Sequence, residues 1–262
     1  MKLSVSNIAW GPEHDDEMYE FLAANGYAGL EIAPTRVFEN QPYERITEAR
    51  QFASELTAKH GLHVCSMQSL WYGRDEMIFG SDGERGFLIE YTEKAAKFAE
   101  AIGCKNLVLG SPKNRAIEDM SQLPTAVDFF SRIADCAEHH NCVIALEANP
   151  ADYGTNFINT TKQAADMCRE INRKGFKINL DLGTVIANGE GIEAVSSYVD
   201  IISHVHISEP FLKPLGDRDI HRRLVAILND AGYNNYVSIE TANTKSIEDI
   251  KNAALYIREV FK

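Results

Sequence analysis

The sequence predicts an α/β chain of the (β/α)8 TIM-barrel class, one domain over residues 1–262. Short apolar runs alternate without a break with amphipathic segments of helical period. That order implies a parallel sheet, because parallel neighbours need a crossover connection. Eight such units in 262 residues fit a closed barrel better than an open sheet. The first turn, Asn7-Ile8-Ala9-Trp10-Gly11-Pro12, lacks the G-x-G-x-x-G of a doubly wound nucleotide-binding fold, and no G-x-x-x-x-G-K phosphate loop occurs.

Leu3 to Ile8 is the first predicted strand, followed by a helix from Glu13 to Asn25 with Gly26 as its stop. Gly29 to Ile32 is the second strand, leading to a loop with Thr35 and Arg36. Tyr43 to His60 reads as a helix closed by Gly61, and Leu62 to Gln68 as strand three. The segment from Ser69 to Gly83 is longer than a plain βα connection, which suits a functional loop. Glu84 to Ile102 is a helix, Asn106 to Leu109 strand four, and Ser121 a predicted cap for a helix running to about His140. Cys142 to Glu147 is strand five, with Asn159 or Thr160 capping the next helix to Arg173. Phe176 to Asp181 is strand six, and a weaker helix is expected over Gly191 to Tyr198. Ile201 to Ile207, the helix Asp219 to Ala231, Val237 to Glu240 and the helix Ser246 to Phe261 complete the series.

Lys and Arg number 26 against 38 Asp and Glu, a net charge of −12. A field of that sign repels phosphate backbones, so no nucleic acid partner is expected. No apolar stretch approaches a membrane span, and the N-terminus has no signal-peptide core, so no membrane association is expected. The five cysteines are odd in number and lack a CxxC pair, which predicts buried free thiols and a cytoplasmic location.

Strand five ends in Glu147, strand six in Asp181, strand seven near His206 and strand eight in Glu240. All four sit at strand C-termini, the face on which barrel active sites are built. Taken singly, each has a plain explanation: a helix cap, a core histidine, a surface ion pair. Together, three carboxylates and an imidazole would repel unless a divalent cation joined them. Hard oxygens with one nitrogen suit Mn²⁺, Mg²⁺ or Co²⁺, and Zn²⁺ less well without a thiolate. His204, two residues before His206, is a rival ligand.

The motifs Leu146-Glu147-Ala148-Asn149-Pro150, Asp181-Leu182-Gly183-Thr184, His204-Val205-His206-Ile207-Ser208-Glu209 and Ser238-Ile239-Glu240 resemble those of the xylose-isomerase-like TIM barrels, along essentially the whole chain. The resemblance implies a sugar isomerase or epimerase in which Glu147, Asp181, His206 and Glu240 bind the metal. It also implies that Glu147 and Glu240 are the catalytic pair moving a proton through a metal-stabilised enediolate. The superfamily further holds keto-sugar and keto-cyclitol dehydratases, the lyase alternative, and apurinic endonucleases, which the acidic charge disfavours. A non-catalytic binding barrel is the remaining class. Superfamily analogy also implies a homo-oligomer. The ketose 3-epimerases carry a His three residues after the strand-six Asp and an Arg six residues after the strand-seven His. This chain has Thr184 and Leu212 there, so free ketohexose recognition through those contacts is not expected.

The loops at the same end supply the expected substrate contacts. Arg36, Ser111, Lys113 and Arg115 offer cations and a hydroxyl for an anionic carbohydrate such as a sugar phosphate, sugar acid or nucleotide sugar, with Arg74 nearby in the long third loop. Trp71 and Tyr72 offer a stacking face, Gln68 a hydrogen bond, and Asn149 either a substrate contact or a brace for Glu147. His221 is expected at the surface or as a cap.

Overall fold

A computed structural model describes residues 1–262. Eight parallel strands close in sequence order: β1 (Lys2–Ser6), β2 (Gly29–Ile32), β3 (His63–Met67), β4 (Asn106–Leu109), β5 (Val143–Glu147), β6 (Phe176–Asp181), β7 (Ile202–Ile207) and β8 (Tyr236–Ile239). The barrel shuts where Lys2 to Val5 of β1 run beside Tyr236 to Ile239 of β8. The helices are α1 (Asp15–Ala24), α2 (Pro34–Val37), α3 (Ile46–His60), α4 (Asp82–Ala101), α5 (Leu123–His139), α6 (Thr161–Ile171), α7 (Leu182–Asn188), α8 (Asp219–Asp230) and α9 (Ile247–Val260).

The strands have two unlike faces. Residues alternate sides along a strand. Leu30, Ile32, Leu107, Leu109, Ile144, Leu146, Ile178, Leu180, Val205, Ile207, Val237 and Ile239 belong to the apolar core between barrel and helices. The intervening positions face the lumen and are largely polar: Ser4, Glu31, Ser66, Asn106, Asn179, His204, His206 and Ser238 are all buried. Asn106 Nδ2 donates to Ser66 Oγ at 2.9 Å, and Ser203 Oγ donates to Asn106 Oδ1 at 2.7 Å, tying β3, β4 and β7 together inside the barrel.

Two register shifts set this lumen. Cys65 is an extra residue of β3 opposite Leu30 and Glu31, and Ser203 an extra residue of β7 opposite Ile178 and Asn179. Such bulges re-aim the side chains beside them. Gly29 allows a close approach there, since a Cβ would stand 2.6 Å from the Tyr236 ring and 2.7 Å from Cys65 Sγ.

Helix starts follow local chemistry. Ser81 with Glu84, and Thr160 with Gln163, form capping boxes for α4 and α6. Ser121 is not a cap: Asp119 accepts from its backbone N–H in a 3-10 turn, and α5 starts two residues later. The helix expected over Gly191 to Tyr198 is instead a run of 3-10 turns, and the α-helix lies earlier, as α7. The cause is Asp181, whose Oδ2 accepts from Thr184 N at 2.7 Å and starts a helix directly at the strand end.

No helix is long and apolar enough to cross a membrane. All five cysteines are free thiols, and only Cys136 is partly exposed. Burial pushes Cys142 up to about 12 and Cys168 up to about 11, with Cys65 and Cys104 also raised. At pH 8 the native protein should therefore show no more than one fast thiol toward Ellman's reagent, and all five after denaturation. Two or more fast thiols in the native state would contradict this packing.

Candidate metal centre

Four chain segments far apart in sequence meet at the C-terminal mouth of the barrel. Ligand atoms of Glu147, Asp181, His206 and Glu240 all lie within 4.8 Å of one another. Barrel closure brings them there: Asp181 and His206 are register partners across β6 and β7, and His206 lies beside Ser238 of β8.

Each group is held by its neighbours. Glu147 Oε1 accepts from Asn149 Nδ2 at 3.0 Å, and its Oε2 from Asn179 Nδ2 at 2.6 Å. Asp181 Oδ1 accepts from Ser208 Oγ, while Oδ2 takes the Thr184 N–H and lies 2.8 Å from Thr184 Oγ1. Asp181 is thus both a helix cap and a member of the cluster. Glu240 has no amide donor; its Oε2 stands 3.1 Å from His206 Nδ1.

Burial pushes the Glu240 carboxyl up to about 7, and the charges of Glu147 and Asp181 add to this against the pull of His206. Burial also raises Asp181, with the Glu147 charge acting in the same direction. Burial alone would lower His206, but the carboxylates of Glu240 and Glu31 outweigh it and hold the imidazole well above its usual value. Carboxylates that resist ionisation together are the electrostatic signature of a site that gains from a cation.

The donor set fits a divalent metal. Three carboxylates and one imidazole, without a thiolate, match Mn²⁺, Mg²⁺ or Co²⁺. His206 Nδ1 is buried, faces Glu147 Oε2 and Glu240 Oε2 at 3.1 Å each, and makes no aligned hydrogen bond. A buried imidazole nitrogen left unpaired among carboxylate oxygens suits a metal ligand.

Behind His206 lies Glu31, a fully buried carboxylate from β2. His206 Nε2–H donates to Glu31 Oε2 at 3.1 Å, and His204 Nε2 lies 2.9 Å from the same carboxylate oxygen. Burial would raise Glu31, and the two imidazoles overcome it, keeping the carboxyl well below the usual range. In the neutral imidazole, a carboxylate accepting at Nε2 leaves Nδ1 as the lone pair and orients the ring. Glu31, His204 and His206 also form a second group close enough to hold an ion. His204 thus lies on the Glu31 side of His206, outside the four-residue cluster. Glu31→Gln should weaken Mn²⁺ binding by about 10–100-fold in a calorimetric titration. Wild-type affinity in that variant would remove Glu31 from this role.

Several expected substrate contacts are committed elsewhere. Arg115 is fully buried and places all five of its N–H groups on Gly110 O, Phe157 O, Ile158 O, Glu147 O and Asn149 Oδ1. No donor is left for a substrate, so it is a structural cation that braces Asn149 and, through it, Glu147. Arg36 makes a two-pronged ion pair with Asp15, at 2.6 and 3.1 Å, beside the Trp10 ring. Lys113 Nζ pairs with Asp75 at 3.0 Å. Trp71 is buried between helices, its Nε1 donating to Thr92 Oγ1 of α4 and its ring set edge-on to Phe129 of α5. It is a core residue rather than a stacking platform, while the rest of its long loop is tied to the β4 loop through Asn114 and Lys113.

Gln68 is buried at the end of β3 and donates to Ser6 Oγ. Ser111 sits in the left-handed region (φ 40°) after Gly110, whose Cβ position lies 3.1 Å from Glu147 Oε1. That places the β4 loop against the centre. His221 is buried rather than exposed, with Nδ1 2.9 Å from Tyr256 Oη, because α8 packs against α9. Asn179 and Glu31 were not anticipated as site residues. Their signal was a polar residue at the alternate, lumen-facing position of an apolar strand.

A cavity of about 670 Å³ opens at the opposite mouth among Lys2, His63, Lys105 and Lys177, away from these carboxylates. Barrel chemistry is built at the other end.

Fold and site together define a (β/α)8 barrel with an acidic, histidine-containing centre at its strand C-termini. The model of the xylose isomerase-like TIM barrel family matches residues 19–260, and the chain belongs to that family. It is similar in structure to 3-keto-D-glucoside 4-epimerase from E. coli in its apo form (20% identity, 99% of each chain, TM-score 0.77). D-psicose 3-epimerase from Clostridium cellulolyticum H10, crystallised with D-tagatose, shares 17% identity over 100% of both chains, with a TM-score of 0.81. AP endonuclease, family 2, from Brucella melitensis shares 18% identity over 98% of each chain, with a TM-score of 0.75. No curated protein sequence matches the chain.

Proposed function

We propose that this protein is a divalent-metal-dependent isomerase or epimerase of a carbohydrate derivative. The observation that carries the reading is the orphaned His206 Nδ1 set among the oxygens of Glu147, Asp181 and Glu240. Two similar structures are epimerases by name, which agrees with it. Glu147, Asp181, His206 and Glu240 would hold the ion. A bound divalent cation supplies Lewis-acid polarisation of substrate oxygens.

The chain's own residues supply the proton chemistry. Glu147 is anchored at both oxygens by Asn149 and Asn179, which keeps it an acceptor in a fixed orientation. Glu240 lacks such donors, and burial pushes its carboxyl up, so its environment is unlike that of Glu147. Two carboxylates in unlike environments suit removal of a proton by one and its return by the other.

The test is a titration of the chelator-treated protein with Mn²⁺, followed by incubation with ketoses and 3-keto-glucosides in D₂O. The expected result is one bound ion and metal-dependent incorporation of deuterium at carbon, without loss of water from the product. Failure to bind Mn²⁺, Mg²⁺ or Co²⁺ would overturn the metal centre; product lighter by one water would make it a lyase.

A further inference from the structure

We propose that the mouth of this centre takes an uncharged sugar, whose apolar ring face rests on the paired rings of Tyr153 and Phe211. The inference rests on the carbohydrate reading above and narrows its substrate class.

The first support is an account of charge. Arg36 is bound to Asp15 and Arg115 to main-chain carbonyls and Asn149. Arg218 makes two 2.6 Å contacts with the buried carboxylate of Glu209, and Arg74 lies over the Phe87 and Tyr91 rings of α4. Lys113 is paired with Asp75 in solvent. Lys213 and Lys245, on the loops after β7 and β8, are exposed and outside any ion pair, with no contact directing them at the centre. Meanwhile the centre itself is lined by the carboxyl groups of Glu147, Asp181 and Glu240. A phosphate or carboxylate entering here would meet repulsion without a dedicated partner.

The second support is what stands at the rim in place of cations. Tyr153 ends the 3-10 turn that follows β5, on the same end of the barrel as Glu147. Phe211 is on the turn after β7 and stays 57% exposed, an unfavourable position for a large apolar ring. The two rings lie 5.2 Å apart, and Phe211 N–H donates to Tyr153 Oη at 2.6 Å.

The backbone is strained to hold this arrangement. Phe211 and Leu212, neither a glycine, both adopt left-handed conformations (φ 61° and 52°). The turn is locked from two sides: Leu212 N–H donates to Glu209 O at 2.9 Å, and Leu212 O accepts from Ala242 N at 2.9 Å, two residues past Glu240. The aromatic pair joins the loops that follow Glu147 and His206, and the Ala242–Leu212 bond adds the loop after Glu240. Strain maintained beside a reactive cluster, with an apolar ring kept in water, fits a surface that is covered when ligand binds. Sugars present such a C–H face.

Binding of methyl β-D-glucopyranoside and of D-glucose 6-phosphate to the full chain with Mg²⁺, followed by saturation-transfer NMR, tests this, with Mn²⁺ affinity measured separately by calorimetry. The glycoside should bind more tightly than the phosphate, and Phe211→Ala should weaken it about tenfold while leaving Mn²⁺ affinity unchanged. Phe211 is exposed, so the variant should fold; Phe211→Tyr should restore binding. Tighter binding of the phosphate, no binding of the glycoside, or wild-type binding by Phe211→Ala would each overturn the proposal. Phe211-dependent glycoside binding in a protein that takes up no Mn²⁺ would support it and defeat the metal centre instead.

Discussion

Glu240→Gln should leave the barrel folded and lower turnover by about 10²–10⁴-fold, the usual contribution of a positioned general acid or base. Glu240 lies outside the regular strand, just past Ile239, and its oxygen contacts His206 rather than packing into the apolar shell. Glutamine keeps the shape and removes the exchangeable carboxyl proton. Glu147→Gln should be at least as damaging. Asn149 and Asn179 each donate to one Glu147 oxygen, so an amide there must set one NH₂ against another. Circular dichroism should show an unchanged fold for both variants, and the deuterium-incorporation assay should show the loss. Full activity in either would remove that residue from the proton-transfer pair.

Arg115→Met is expected to be the most destabilising single change near the centre, by about 3–5 kcal/mol, as when one partner of a buried charged network is removed. Methionine fills similar volume but removes the Arg115 donors to Gly110 O, Phe157 O, Glu147 O and Asn149 Oδ1. Burial lowers the Arg115 guanidinium to about 10 against the favourable charge of Glu147, so it stays charged at neutral pH. Urea unfolding should show a lower midpoint with an unchanged slope. Arg115→Lys should be only partly tolerated, since an ammonium offers three donors and no planar fork. A midpoint within about 0.5 kcal/mol of wild type would mean that these carbonyls find water instead.

The two expectations draw on different sources. Glu147 and Glu240 stood out in the sequence because a charge ends an apolar run, and a strand covered by helices leaves such a charge only the barrel mouth to face. Barrel class followed from the same alternation of apolar runs and helical periods, and the observed strand order confirms it. For Asp181 the sequence left cap and ligand as alternatives; the structure shows the cap and also places its carboxyl among Glu147, His206 and Glu240.

Arg115, Arg36 and Trp71 misled for one reason. A loop's position says which end of the barrel a residue occupies, but whether its side chain faces the mouth or folds back depends on partners remote in sequence. Asp15 claims Arg36 from 21 residues away, and Phe157 claims Arg115 from 42. Glu31 shows the converse. It looked like an ordinary strand residue, and only closure of β2 opposite β7 placed its carboxylate behind His206.

What the sequence determined by itself was therefore periodic or terminal: the strand–helix alternation, the parity that separates lumen from shell, and the residues at strand ends. What only the tertiary structure decided was pairing. Pairing is settled by distances across the barrel and between loops, where a cation or aromatic ring takes the nearest buried partner, and no local pattern along the chain records that choice.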